Sequence, residues 1–218
     1  MVGVRREKMV VGRFFDNWTL FLTRGGLRDK DGVWVARGQP AHHAACELGR
    51  VLLASGFDTL CMIDSDAGFD VKGMEQLRTL KEGQEFDVLQ AFYTTRTFPM
   101  EPMWLKIDDK GKWYKDEVRT DKTEEVQAVG LHFTLIRRTI FEKLPRPWFV
   151  YPPDETTSED VPFCIAAREA GFTVGATSMV KTHHWGEFPF GWDNYQAWMS
   201  DEDAGIHRNI PPEIARQS

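Results

Sequence analysis

Long apolar runs are missing from this chain of 218 residues. No stretch approaches the ~20 consecutive apolar residues that a membrane-spanning helix needs. The N-terminus also lacks the apolar core of a secretory signal. We therefore expect a cytoplasmic protein with no transmembrane segment.

Positive charge is scarce and scattered. The 27 Lys and Arg residues are outnumbered by 33 Asp and Glu, which gives a formal net charge of −6. Basic neighbours occur in short pairs such as Arg5-Arg6 and Arg137-Arg138. Because nucleic-acid binding needs a continuous basic surface that follows the phosphates, we expect no nucleic-acid-binding surface.

Cysteine is also rare, with three residues in the whole chain: Cys46, Cys61 and Cys164. Each lies in an apolar pattern, and none forms the C-x-x-C spacing of a zinc or redox site. His42-His43 lie near Cys46, but no second pair of ligands follows at a suitable distance. The pattern favours buried, reduced thiols.

Apolar periodicity and glycine stops predict alternating strands and helices. The strands are predicted at 1–4, 33–36, 59–63, 88–93, 103–107, 112–114 and 173–176, and the helices at 12–22, 41–55, 69–80 and 158–172. Between these, 126–138 reads as strand, glycine break and strand, while the charged stretch 119–125 predicts a solvated loop. Such alternation predicts a mainly parallel sheet with helices on both faces, and the turn at 108–112 adds a small antiparallel hairpin.

Asp64-Ser65-Asp66 follows the predicted strand at 59–63. Once the strand ends, the first and third residues of such a tripeptide can turn toward one point and hold Mg²⁺ or Mn²⁺ with positions left open for a phosphate. Aspartates also end strands simply as turn formers. In a parallel sheet, ligands bind at the carboxyl ends of the strands, which is where this D-x-D motif lies.

Three further motifs follow the D-x-D in order. They are V-G-x-x-F-x-L-I-R-R at 129–138, S-E-D-V-x-F-C at 158–164 and H-x-G at 184–186. Together with the D-x-D, the series resembles the nucleotide-sugar-dependent glycosyltransferases of the GT-A fold, in particular the family-two-like branch and its short phage and bacterial members. The resemblance covers roughly residues 33–186, and its specificity lies in the order of the motifs. It implies a Rossmann-like α/β fold.

The resemblance implies a metal site. Asp66 would be the more direct ligand, Asp64 a second one, and His184 of the H-x-G motif a third, in preference to His183. The implied cofactor is Mn²⁺ or Mg²⁺, and the imidazole shifts the preference toward Mn²⁺. A strand-end histidine without a metal is the alternative.

The resemblance also implies a nucleotide-sugar donor, with Asp64 near its nucleoside end. The implied donor-binding residues are Val4, Arg5, Asp64, Ser65 and Asp66.

On the acceptor side, the resemblance makes Asp160 the general base that acts on a hydroxyl of a saccharide or another acceptor, with Glu159 beside it. Acidic residues in the first turn of a helix are also favoured by the helix dipole and by capping, without any catalysis. Retaining relatives share the fold without such a base, so the inverting outcome is an expectation.

Aromatic residues crowd the chain after the last motif. We assign Gly130, Trp185, Trp192 and Tyr195 to the acceptor side, because aromatic faces stack on sugar rings. Packing against the domain is the alternative for Trp192 and Tyr195. Residues 1–186 would form the catalytic domain, and 187–218 an aromatic-rich C-terminal extension that packs on the site or covers it.

The sequence thus predicts a metal-dependent hexosyltransferase. It departs from the family pattern at residues 2–6, where the first strand is abbreviated, and at Ala45-Cys46, where short relatives carry Arg-Asn. These departures leave a second hypothesis open, a catalytically silent relative that binds a sugar or a nucleotide. A nucleotidyltransferase would need a glycine-rich phosphate loop near the N-terminus, which is absent. The donor, the acceptor and the oligomeric state are left open.

Overall fold

The computed structural model describes residues 1–6, 12–97, 99–153, 157–186 and 189–203. Its helices are α1 (Gly12–Thr23), α2 (Ala41–Ala54), α3 (Gly73–Gln84), α4 (Arg138–Lys143), α5 (Asp160–Glu169) and α6 (Trp192–Asp203). Its strands are β1 (Val2–Arg6), β2 (Val33–Arg37), β3 (Thr59–Asp64), β4 (Ala67–Phe69), β5 (Val88–Phe92), β6 (Trp104–Ile107), β7 (Trp113–Tyr114), β8 (Thr123–Glu125), β9 (Ala128–Val129), β10 (Phe133–Arg137), β11 (Val174–Trp185) and β12 (Pro189–Phe190).

One large sheet organises the chain, in the order β12-β11-β5-β10-β3-β1-β2. The pairs β1–β2, β1–β3 and β5–β11 are parallel, whereas β10 runs antiparallel to both of its neighbours. A second, small antiparallel sheet has the order β7-β6-β9. The predicted fold class, a mainly parallel α/β sheet with a small antiparallel hairpin, is therefore confirmed.

Helices cover both faces of the large sheet because its strands are apolar on both sides. Along β3, Leu60 and Met62 join the apolar cluster that includes α2, α4, α5 and α6, while Cys61 and Ile63 join the cluster that includes α1 and α3. Successive strand residues point to opposite faces, so one strand contributes to both cores. The three cysteines are buried and free, as the sequence predicts.

Three predicted elements differ from the structure. The helix predicted at 69–80 begins only at Gly73, because Ala67–Phe69 forms a strand on β11. The loop predicted at 119–125 contains Thr123–Glu125, a strand that also pairs with β11. The strand predicted at 173–176 continues to Trp185, with a shift in register between Thr177 and Lys181. In each case the partner strand is distant in sequence, and local pattern does not reveal it.

The C-terminal region from 187 onward is described for residues 189–203. There, α6 places Tyr195 and Met199 in the same core cluster as α2. Residues 187, 188 and 204–218 of the predicted extension lie outside the described residues. Among the helices that the structure describes, none is long and apolar enough to cross a membrane.

Candidate functional site

The D-x-D motif lies at one edge of the large sheet, where several strands end. Arg5 at the end of β1 is paired in register with Asp64 at the end of β3. The antiparallel strand β10 starts at the same edge, and the carbonyl of His132, just before it, accepts a hydrogen bond of 2.9 Å from the Asp64 amide. Tyr93 and Thr94 follow β5, and His184 lies near the end of β11. Strand topology thus collects these side chains.

Asp66, His132 and His184 form a group whose possible ligand atoms all lie within 4.8 Å of one another. His184 Nε2 is 3.3 Å from Asp66 Oδ2, and His132 Nδ1 is 3.6 Å from Asp66 Oδ1. One carboxylate therefore faces two imidazole rings. His184 is the histidine chosen from the sequence, while His132 was not predicted.

The far side of each ring fixes where its proton lies. His184 Nδ1 is 3.0 Å from the Thr94 carbonyl oxygen, and His132 Nε2 is 3.0 Å from the His183 carbonyl oxygen. Because a carbonyl can only accept, both of those ring nitrogens carry hydrogen. In the neutral rings, the nitrogens that face Asp66 then present lone pairs. Two lone pairs and a carboxylate converge, which is a repulsive arrangement unless a cation stands between them.

The electrostatics agree with a cation site. Burial lowers the pKa of His184, although Asp66 opposes this, so the ring is neutral at pH 7. Burial alone would raise the pKa of Asp66, yet the neighbouring imidazoles lower it. His132 Nδ1 is buried without a hydrogen-bond partner in the described part of the chain. A set of two imidazoles and one carboxylate fits a transition-metal ion such as Mn²⁺ better than Mg²⁺, which prefers oxygen.

Asp64 stands outside this group because Arg5 occupies it. Arg5 Nε and one terminal nitrogen donate to the two Asp64 oxygens at 2.6 and 2.9 Å, and the other terminal nitrogen donates to Glu159 Oε1 at 2.9 Å. Burial would raise the pKa of Asp64, but the Arg5 charge holds it well below its usual range. In the described structure, the carboxylate predicted as a metal ligand and donor contact is instead tied down by a predicted donor-binding residue.

Glu159 and Asp160 begin α5, and their contacts are more specific than a helix start requires. Glu159 occupies the N-cap position without making a side-chain cap hydrogen bond, and its carboxylate goes to Arg5 instead. Asp160 Oδ1 accepts hydrogen bonds from the Ser158 hydroxyl and from the Val161 amide at 3.0 Å. Capping therefore does not account for Glu159.

Asp160 has the electrostatics of a base that can work near neutral pH. Burial, opposed by the Ser158 hydroxyl and reinforced by the Glu159 charge, raises its pKa to about 6. Its Oδ2 makes no hydrogen bond within the described residues and faces Gly130. Asp160 also lines a groove of about 800 Å³. A carboxylate with one engaged and one free oxygen is suited to accept a proton.

Tyr93 and Gly130 connect Asp160 to the histidines. The Tyr93 ring stacks on His132, with centroids 4.5 Å apart. Its hydroxyl approaches Gly130 so closely that a Cβ there would overlap it, and the same Cβ would lie 3.3 Å from Asp160 Oδ2. Only glycine fits this position, which explains the V-G pair of the sequence motif without direct contact to an acceptor.

The remaining predicted residues lie in different surroundings. Ser65 is buried between the two aspartates, and Val4 belongs to the core rather than to the open edge. Trp185 stacks on His183 at a centroid distance of 5.5 Å, and its amide donates to the Asp66 carbonyl at 2.8 Å. It therefore lies beside the histidine group and does not line the groove at Asp160.

Trp192 and Tyr195 fit the packing alternative. Tyr195 is 1% exposed, and its hydroxyl accepts a hydrogen bond of 2.9 Å from the Val118 amide. Trp192 packs edge-on against Phe92, with Lys181 over its ring. Neither side chain lines the groove.

Sequence reasoning missed His132, Tyr93 and Arg96, which donates to Asp66 Oδ2 at 3.0 Å. A signal for His132 was present. It is a polar residue inside an otherwise apolar strand pattern, between Gly130 and Phe133. Its importance depends on the β3–β10 register, however, and that pairing is set by tertiary structure.

Comparison with known proteins supports the fold. No family model matches the chain, and no curated protein matches it. The solved structure of A197 from STIV matches with a TM-score of 0.60 and 22% identity, over 84% of each chain. UTP-bound UGPase from acinetobacter baumannii matches with a TM-score of 0.45 and 10% identity, over 94% of this chain and 74% of that one. Apo UDP-glucose pyrophosphorylase matches with a TM-score of 0.46 and 12% identity, over 94% of this chain and 81% of that one. At these identities the A197 likeness shows a shared fold alone, and the other two are too distant to indicate an activity.

Proposed function

We propose that the protein is a metal-dependent glycosyltransferase of the GT-A type, which moves a sugar from a nucleoside-diphosphate sugar to an acceptor hydroxyl. The observation that carries this proposal is the convergence of the Asp66 carboxylate with the free nitrogens of His132 and His184 at the sheet edge. Asp160, with its raised pKa and free oxygen, belongs to the same edge through Tyr93 and Gly130. A cation site beside a base is what transfer from a diphosphate requires.

The residues divide the work as follows. Asp66, His132 and His184 would hold the ion, which when bound would neutralise the charge that builds on the departing diphosphate. Asp160 accepts the proton of the acceptor hydroxyl. The hydroxyl oxygen forms a bond to the anomeric carbon, the bond from that carbon to the diphosphate oxygen breaks, and the nucleoside diphosphate leaves with the electron pair. Such a single displacement inverts the anomeric configuration.

Arg5 and Arg96 supply positive charge without a metal. Arg5 holds Asp64 and Glu159 in place and is itself 9% exposed, so we assign it to positioning. Arg96 is half exposed beside Asp66 and is free to move toward a diphosphate oxygen. Arginine suits this role because its planar group binds phosphate oxygens in pairs.

The test is nucleoside diphosphate release from a panel of UDP-, GDP- and dTDP-sugars with and without Mn²⁺. We expect turnover of at least one donor that chelation abolishes. Asp66→Ala should remove metal-dependent donor binding, whereas Asp160→Ala should keep binding and slow transfer by roughly a hundredfold or more. Asp109→Ala, in an exposed hairpin turn, is the matched control and should behave as the unaltered protein.

The second candidate, a silent relative that binds a sugar or a nucleotide, is favoured by the departures at residues 2–6 and Ala45-Cys46. Metal-dependent donor binding without turnover on any donor, in the presence of diverse acceptors, would support it. Equal loss of binding in Asp66→Ala and Asp160→Ala would contradict the division of roles given above.

A further inference from the structure

The groove at Asp160 is apolar over most of its wall. It runs between α5 and the small antiparallel sheet and has a volume of about 800 Å³. Its apolar lining includes Met103, Leu105, Trp113, Val161, Ile165 and Ala166. Such a volume holds a small molecule with room for more than a single sugar ring.

Polar groups that a sugar could use are few in this groove. Lys115 lies in its wall but is paired with Glu101 at 2.7 Å. The Ser158 hydroxyl donates to Asp160. Each hydroxyl of a buried saccharide needs a partner, because an unpaired polar group loses its hydrogen bonds to water without replacement. The wall therefore disfavours a free saccharide along most of its length.

Apolar side chains also stay exposed here. Trp113 is 38% exposed and Ile165 is 36% exposed, on opposite sides of the groove. A ligand that covers them would remove apolar surface from water, which is favourable in proportion to the area covered. The one charged atom at the inner end with no hydrogen bond to the described residues is Asp160 Oδ2.

We propose that this groove binds an amphiphilic alcohol, with its hydroxyl at Asp160 and an alkyl or aryl body along the wall formed by Trp113 and Ile165. The inference rests on the proposed function in one respect, that this alcohol is the acceptor of the sugar. The ligand class itself follows from the groove alone. It narrows the acceptor from any hydroxyl compound to one with an apolar body.

The test measures binding of methyl, butyl, hexyl and octyl β-D-glucoside to the full chain by calorimetry, with octyl glucoside below its critical micelle concentration. Neither metal nor nucleotide is added. We expect affinity to rise with chain length, by up to about fourfold for each methylene that enters the groove. Equal affinity for methyl and octyl glucoside, or no binding of either, would overturn the proposal.

A pair of variants locates the binding. Ile165→Asp places a charge in the groove and should lower octyl glucoside affinity at least tenfold, with little effect on methyl glucoside. Ile107→Asp is the matched control, because Ile107 is 37% exposed and does not line the groove. Ile165→Ala, a milder change, guards against misfolding and should lower the dependence on chain length. Equal effects of the two aspartate variants would place the binding elsewhere and overturn the proposal.

These outcomes are separate from those of the proposed function. Chain-length-dependent binding together with a failed donor assay would overturn glycosyl transfer and leave the ligand class standing. Donor turnover without chain-length dependence would do the reverse.

Discussion

His132 is the residue whose surroundings are hardest to explain without a bound cation. Its side chain is 1% exposed, its Nε2 is used by the His183 carbonyl, and its Nδ1 has no partner in the described structure. A buried nitrogen without a hydrogen bond costs free energy that a native protein rarely accepts. Two carboxylates nearby, at 3.6 and 3.7 Å, supply negative charge and no proton.

We predict that His132→Phe, which keeps the ring stacked on Tyr93, weakens Mn²⁺ binding. The loss should be at least as large as the roughly 10- to 100-fold that follows from removing an outer-shell partner of a metal ligand. Isothermal titration with Mn²⁺ measures it. His183→Ala is the control, since the His183 side chain stacks on Trp185 and only its backbone carbonyl supports His132. Unchanged affinity in His132→Phe would remove this residue from the metal site.

Asp160 sets a pH dependence whose sign follows from its burial. A base works only when deprotonated, so with its pKa raised to about 6 the transfer rate should fall as the pH drops through 6. The Ser158 hydrogen bond lowers that pKa, and its loss moves the acid limb to higher pH. The expected shift in Ser158→Ala is roughly 0.4 to 1 pH unit, since one hydrogen bond contributes about 0.5–1.5 kcal/mol.

The measurement is kcat against pH for the unaltered protein, Ser158→Ala and Ser55→Ala. Ser55 donates to a backbone carbonyl at the end of α2 and should leave the profile unchanged. An acid limb that stays in place in Ser158→Ala would show that another group controls it.

At the scale of elements, Arg5 joins three of them: β1, which carries it, β3 through Asp64, and α5 through Glu159. All three side chains are largely buried. Removing one partner from such a group leaves charges buried and unpaired, which is far more costly than the pairs are stabilising. This ionic contact fixes the start of α5, and hence Asp160, relative to the sheet.

We predict that Arg5→Met lowers the free energy of unfolding by roughly 3–5 kcal/mol at pH 7, measured by urea denaturation. The folded pKa of Asp64 is depressed, so its contribution is present above the ordinary carboxyl pKa and is lost as the pH falls. The difference between the two proteins should therefore shrink in acid. Arg28→Met breaks an exposed pair with Glu75 and should change stability little. Similar losses in both variants would contradict the clamp.

The elements also show what the sequence could and could not reveal. Strands such as β3 and helices such as α2 carry their own periodic patterns, and both were predictable from local residues. The strand Ala67–Phe69 was not, since three residues have no measurable period and exist as a strand only because β11 pairs with them. The end of α5 follows from Gly171 in the sequence, whereas the use of Glu159 by Arg5, 154 residues away, does not.

At the scale of the whole molecule, order along the chain predicted the location of the site better than its membership. Strand alternation placed Asp66 and His184 at one sheet edge, because the carboxyl ends of parallel strands share that edge. Which carboxylate faces the histidines depended on Arg5, whose guanidinium engages Asp64 and leaves Asp66 free to turn toward them. The ion pairs of buried side chains are settled by packing, and no spacing rule in the sequence encodes them.

Metal binding should stabilise the entire fold, because a ligand that binds only the folded state shifts the folding equilibrium. Mn²⁺ at about 100 times its dissociation constant should raise the free energy of unfolding by about 2.7 kcal/mol. For a chain of this size that corresponds to roughly 5–10 °C in the midpoint of thermal unfolding. We expect the shift in the unaltered protein and in His183→Ala, and little of it in His132→Phe or Asp66→Ala. A midpoint that rises equally in all four would mean that Mn²⁺ binds elsewhere, since only a site built from Asp66 and the two imidazoles loses its ligands in the last two.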